Sequence, residues 1–173
     1  MAETVQQYVK RIGSYIEGKD PVKVQKSTPA RLAAIIRPLK GQHLKHRPAP
    51  GKWSIAEVLA HMADAEVAVS WRLRMILSSN GTPIQAFDQD KWAATFQYAK
   101  RNPKESLETF RVLRENNLAM LKSVSRSLWN NYGMHQERGK ETVKLLVQRM
   151  GGHDLNHLKQ IEEMAKAARR KRG

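Results

Sequence analysis

The sequence predicts an all-α protein folded as a four-helix bundle, and three observations carry that prediction. Apolar residues recur at spacings of three and four along most of the chain, and no sustained alternating run marks a sheet. The periodic stretches are bounded by capping residues, by prolines at first helical positions and by breaks rich in Asn and Gly. The chain has 173 residues, 40% of them apolar and 27% charged, enough to bury such stripes in one core without disulfides. Four amphipathic helices hide their apolar faces most simply against one another.

The first helix is expected to begin near Glu3 and to carry Val5, Tyr8, Val9, Ile12 and Ile16 on its inner face. Gly18 and Pro21 interrupt it, and a second piece is expected from about Thr28 to Leu39, with Pro29 at a helix start and Leu32, Ile35 and Ile36 inward. Gln42 to Gly51, with Pro48 and Pro50, reads as a loop. The second main helix opens on a capping box, Ser54-Ile55-Ala56-Glu57, in which serine and glutamate satisfy each other's exposed backbone N–H groups. Its stripe is Val58, Met62, Ala65, Val69, Leu73 and Ile76, closed by Asn80-Gly81. After a loop at 82–86, a short additional helix lies between Phe87 and Ala99 and carries Trp92, Phe96 and Tyr98. Asn102-Pro103-Lys104-Glu105 starts the third main helix, which is expected to reach about Trp129 through Leu107, Phe110, Leu113, Leu118 and Leu121. A loop over 130–140 leads into the fourth, from about Thr142 to a basic tail. Residues 1–165 therefore read as one helical domain and 166–173 as a basic C-terminal tail.

Composition excludes several chemistries. There is no cysteine, hence no disulfide, no thiolate ligand, no cysteine nucleophile and no zinc finger. The N-terminus lacks the apolar stretch of a signal peptide and no apolar run is long enough to cross a bilayer, so a cytoplasmic location is expected. The net charge of +15 is concentrated at the ends: +7 over residues 1–60, +3 over 61–165 and +5 over 166–173. Such ends read first as a solubilising, solvated surface and second as the mark of an anionic accessory partner, a nucleic acid or an anionic lipid. No recognised nucleic-acid module accompanies them, and Lys and Arg are not interleaved with stacking aromatics. A small-molecule substrate is the partner expected at the near-neutral centre.

The fourth helix holds the informative anomaly. Its stripe reads Leu146, Met150, His153, His157, Ile161, Met164, so two imidazoles sit one turn apart on a core face. Histidines at i and i+4 can share a metal ion; a buried histidine bonded to a carbonyl or carboxylate explains either one equally well. His61, on the inward face of the second main helix among Ala60, Ala63, Ala65 and Ala68, supplies a third candidate. Three imidazoles suit zinc, nickel or ferrous iron and leave coordination positions open. His43 and His46 fall in a basic loop, whereas His135, just before the fourth helix, is a candidate for the pocket mouth. Asp64, Glu66, Asp154 and Asn156 are candidates to orient the imidazoles, and Trp53, Trp92 and Tyr98 to wall a pocket.

These motifs resemble a known family. Gly51-Lys52-Trp53-Ser54 through His61-Met62-Ala63-Asp64-Ala65-Glu66 and Gly152-His153-Asp154-Leu155-Asn156-His157-Leu158-Lys159-Gln160-Ile161 are similar to the two signatures of the DinB/YfiT-like superfamily. Phe87 to Ala93 and the Asn117-Leu118 region are similar to one branch of it, so that the resemblance spans about residues 20–165. It implies a four-helix bundle holding one divalent metal, nickel or zinc most often, on three histidines that map onto His61, His153 and His157. For activity it implies a metal-dependent hydrolase or an S-transferase or isomerase using a low-molecular-weight thiol such as bacillithiol or mycothiol, in a family many of whose members have no known activity. The alternative is a non-catalytic metal-containing stress-response or binding protein with an anionic partner, and a homodimer stays open. The chain departs from the pattern at Gln136, at Gly151-Gly152 inside the fourth helix and in its basic tail. Each of those glycines costs a helix roughly 1 kcal/mol, which implies close approach by another helix or a substrate.

Overall fold

The computed structural model describes residues 3–170. Side chains that satisfy exposed backbone N–H groups set the helix starts. Thr4 and Gln7 form a reciprocal box at α1 (Val5–Ile16). The Asp20 carboxylate accepts from the Val22 and Lys23 N–H groups at α2 (Pro21–Ile36). After the short α3 (Gly41–Lys45), Ser54 and Glu57 form the expected box at α4 (Ile55–Ser78). Asp88 caps α5 (Gln89–Thr95), the short helix expected between the second and third main ones, and Asn102 caps α6 (Pro103–Ser123). The last helix, α7, runs from Val143 to Arg170.

α4 packs along α6, α6 along α2, α2 along α7 and α7 along α4, closing a four-helix ring in which α2 and α4 stand on opposite sides. Two apolar clusters fill it. One joins Leu32 and Ile36, Val58, Leu59 and Met62, Phe110, and Leu158 and Ile161, from all four helices. The other joins Val69, Leu73 and Ile76 of α4 with Leu121, Leu146, Val147 and Met150. α1 lies outside the ring against α7. A Cβ on Gly152 would stand 2.2 Å from the Ile12 carbonyl oxygen, so this glycine admits the α1 backbone, while Gly151 makes room for the Ile16 and Pro21 side chains.

Four expectations are corrected. α2 begins at Pro21, not near Thr28, because Asp20 caps it and proline suits a first helical position. Pro29 consequently lies inside the helix, and the Gln25 carbonyl it cannot bond accepts from Arg114 Nη1 at 3.3 Å. The loop after α2 contains α3, and α6 stops at Ser123, with a separate 3₁₀ turn at Arg126–Asn130. The expected loops at 82–86 and 130–140 contain a three-stranded sheet: β1 (Thr82–Ile84) parallel to β2 (Tyr132–His135), and β2 antiparallel to β3 (Gly139–Thr142). Strands of three or four residues are too short to show an alternating pattern. No helix among the described residues is long and apolar enough to cross a membrane. Lys166, Arg169 and Arg170 continue α7 as exposed residues, while Lys171 and Arg172 of the basic tail lie outside the described residues.

Candidate metal centre

Two helix faces bring the three histidines together. His61 sits in the α4 stripe between Val58 and Ala65, and His153 and His157 occupy successive turns of α7. All three are buried. His61 Nε2 lies 3.1 Å from His153 Nε2, which lies 3.2 Å from His157 Nε2. Metal–nitrogen bonds of about 2.0–2.1 Å place two nitrogens on one tetrahedral or octahedral ion about 2.9–3.4 Å apart, so the spacing fits. Among the described residues this is the one group of three or more His, Asp or Glu side chains with ligand atoms close enough to hold an ion. Burial, then the neighbouring imidazoles, lowers the pKa values of His61 and His153 well below the ordinary range. Burial brings His157 down to about 4. The triad is therefore neutral at pH 7, the form that coordinates a metal.

The partners of the imidazoles differ from expectation. His157 Nδ1 pairs with Gln160 Oε1 at 2.8 Å, whereas Nδ1 of His61 and of His153 has no partner among the described residues. Asp64 accepts from Arg101 at 2.8 Å, and Asn156 accepts from Arg11. Glu66 and Asp154 both accept from Arg114, whose side chain is completely buried between them. None of these four residues orients an imidazole; the carboxylates instead neutralise Arg114. Burial works against that guanidinium's charge, but Asp154 and Glu66 outweigh it and raise its pKa. Gln160, three residues after His157, entered the sequence reading only as part of the second signature. Arg114 and Asn117 occupy the core stripe of α6 with Phe110 and Leu121, where Leu113 and Leu118 were expected.

A cleft of about 560 Å³ opens beside the triad, with His61 and His153 in its wall. His135, a candidate for the pocket mouth, is among its lining residues. Trp53, Trp92 and Tyr98 are not. Trp53 packs on the His61 ring at 5.0 Å and on Tyr98 at 6.1 Å, and Trp92 backs Phe87, whose own ring lines the cleft, at 4.4 Å. The aromatics are thus supports behind the wall. α1, which the sequence did not connect with the site, supplies the facing side through Tyr8, Val9 and Ile12.

Comparison with known proteins agrees with this geometry. Residues 26–161 match the family described as the DinB superfamily. Two proteins of Oceanobacillus iheyensis whose names place them among metal-dependent hydrolases are 26% identical over 76% of this chain and 76% of theirs, and 23% identical over 80% of each. YfiT of Bacillus subtilis, similarly named, is 22% identical over 87% of this chain and 85% of its own. A solved structure of YfiT, described as a probable metal-dependent hydrolase with an unusual four-helix bundle topology, superposes with a TM-score of 0.79 over 96% of this chain and 90% of that one at 18% identity. With a family match over most of its length and the paired-histidine motifs meeting across α4 and α7, this chain belongs to the DinB superfamily.

Proposed function

We propose that this protein is a metal-dependent hydrolase of a small molecule, with one divalent transition metal, nickel or zinc, held by His61, His153 and His157. The observation that carries the reading is the convergence of three neutral Nε2 atoms at the wall of a cleft. Three protein ligands and an accessible side are the arrangement of catalytic sites, whereas structural sites are closed by four. When bound, the metal supplies Lewis acidity, polarising a carbonyl or phosphoryl oxygen and acidifying water.

The chain's own residues make the site ready for that chemistry. The Gln160 carbonyl oxygen accepts the His157 Nδ1–H, which leaves the Nε2 lone pair facing the other two imidazoles. Trp53 packs against the buried His61 ring at 5.0 Å and supports it from behind. In the net reaction water adds to the electrophilic centre, and the leaving group departs with a proton.

The names of the relatives support hydrolysis. The test is metal analysis of the purified protein, followed by panels of esters, amides and phosphoesters, each with and without added thiols and an electrophile set. About one metal per chain, turnover without thiol, and loss of both in His153→Ala are expected. Turnover that needs a low-molecular-weight thiol identifies an S-transferase instead. Metal binding without turnover of any compound points to a binding protein.

A further inference from the structure

Leaving the triad, the α4 wall of the cleft runs through Ala65 and Val69 to Arg72, and the α7 wall runs back through Met150 to Arg149 and Leu146. Arg149 is one turn from His153, about 6 Å along the axis, and Arg72 is eleven residues from His61, about 16 Å. The floor between is apolar, and the far end is rich in hydrogen-bond donors that lack acceptors. His135 is 3% exposed. Its Nδ1 accepts the Glu137 N–H at 3.1 Å, so the proton of the neutral ring is on Nε2, which has no partner among the described residues. Arg138 and Arg149 each donate to the buried Glu141, and each keeps a buried Nε–H without a partner among the described residues. Arg72 donates to the Gln85 carbonyl at 2.8 Å. Two guanidinium groups thus share one buried carboxylate, and a third, that of Arg72, lines the same cleft. Of the rim carboxylates, Glu3 is taken by Arg11, Asp88 caps α5, and Asp90 and Glu137 are exposed.

We propose that this end of the cleft is an anion subsite, built from Arg72, Arg138, Arg149 and His135, for the carboxylate of a substrate whose reactive bond is joined to it by an apolar segment. Calling the anion part of a substrate rests on the hydrolytic reading above; the donor cluster itself does not depend on a metal. Buried donors without acceptors are stabilised by a ligand rich in lone pairs. The local field has the matching sign: burial, then Arg138 and Arg72, push His135 down to about 4. The apolar floor favours a carboxylate on a hydrocarbon body over free phosphate.

The test reads binding rather than turnover. Hexanoate, hexanamide and inorganic phosphate are titrated by calorimetry into the wild type and into His153→Ala, Arg72→Gln, Arg72→Lys and His135→Phe. Hexanoate should bind the wild type and His153→Ala comparably, and hexanamide about tenfold or more weaker. Arg72→Gln and His135→Phe should each weaken hexanoate about tenfold, with part of the affinity kept in Arg72→Lys. His135→Phe keeps an aromatic ring at the position while removing both nitrogens, so it serves if Arg72→Gln does not fold. Equal binding of hexanamide, tighter binding of phosphate, no hexanoate binding, or loss in His153→Ala alone would overturn the subsite. Failure of the hydrolytic reading has a different signature: hexanoate binds as expected while metal content or turnover is absent.

Discussion

Replacing Arg114 by methionine should be the most damaging single change outside the triad, and the structure supplies the size. The guanidinium is fully buried and lies over the Phe110 ring at 4.7 Å. It gives two hydrogen bonds to Glu66, at 3.0 and 2.8 Å, two to Asp154, and one to the Gln25 carbonyl. Methionine fills most of the volume and leaves two carboxylates, 1% and 0% exposed, without a cation. Removing one partner of a buried ion pair destabilises by about 3–5 kcal/mol, a large share of the roughly 5–15 kcal/mol a domain has. In urea, with an m-value of about 2 kcal/mol/M, the midpoint should fall by about 1.5–2.5 M at pH 7. The pH dependence is a second check. Stranded buried carboxylates have folded pKa values above their unfolded ones, so the folded state binds more protons and the variant regains stability as pH falls towards 5. Arg114→Met combined with Glu66→Gln and Asp154→Asn should recover most of the loss. A single Arg114→Met variant within about 1 kcal/mol of wild type at pH 7 would refute the account of this centre.

Gly152→Ala should destabilise by about 1–3 kcal/mol, because its Cβ would meet the Ile12 carbonyl oxygen at 2.2 Å. Gly13→Ala, with nothing among the described residues within 4 Å of the added Cβ, should instead gain up to about 1 kcal/mol; thermal denaturation of both checks the contrast. His157 and His135 are both held near pKa 4, below the unfolded value of about 6.5, so the unfolded chain binds the extra protons. The metal-free protein should be fully stabilised above about pH 6.5 and lose stability as pH falls towards 4, by about 3 kcal/mol for His157 alone, measured by denaturation at stepped pH. Metal should likewise stay bound below pH 6.5, and release centred near 6.5 on dialysis would mean that the imidazoles are solvated. Deleting 167–173 should leave metal content and folding nearly unchanged while weakening any salt-sensitive DNA or lipid binding; tight DNA binding that survives physiological salt would contradict an accessory role.

The parts of the fold legible in the sequence are those that local chemistry specifies. Ser54 and Glu57 announce α4, and the four-and-three spacing of Leu146, Met150, His153, His157 and Ile161 announces a buried face that includes two imidazoles. What was illegible depends on partners distant in the chain. Pro29 looks like a helix start until Arg114, 85 positions later, is seen taking the carbonyl that proline leaves free. Asp154 and Glu66 sit beside the histidines in sequence, which invites an orienting role. Their proximity to Arg114 is set by α6 and cannot be read from α4 or α7. The anion subsite was hidden for the same reason, since Arg72, Arg138 and Arg149 belong to three separate stretches.

The ionic centre and the histidine triad are connected by geometry. α4 supplies His61 and, five residues on, Glu66; α7 supplies His153, His157 and, next to His153, Asp154. Arg114 of α6 bonds Glu66 with one edge and Asp154 with the other, so one rigid planar group ties α4 to α7 within two turns of the triad. Two neutral cores packed against each other could slide by a few tenths of an ångström with little change in buried area. A bidentate guanidinium between two carboxylates resists such sliding, because its hydrogen bonds weaken steeply with distance and angle. Three Nε2 atoms meet at 3.1 and 3.2 Å only if the two helices keep one separation and one register. The large desolvation cost of burying a cation and two anions is understandable if their role is to hold that register. Arg114→Met with both carboxylates neutralised should therefore be nearly as stable as wild type and yet bind metal more weakly, a combination that separates positioning from stability.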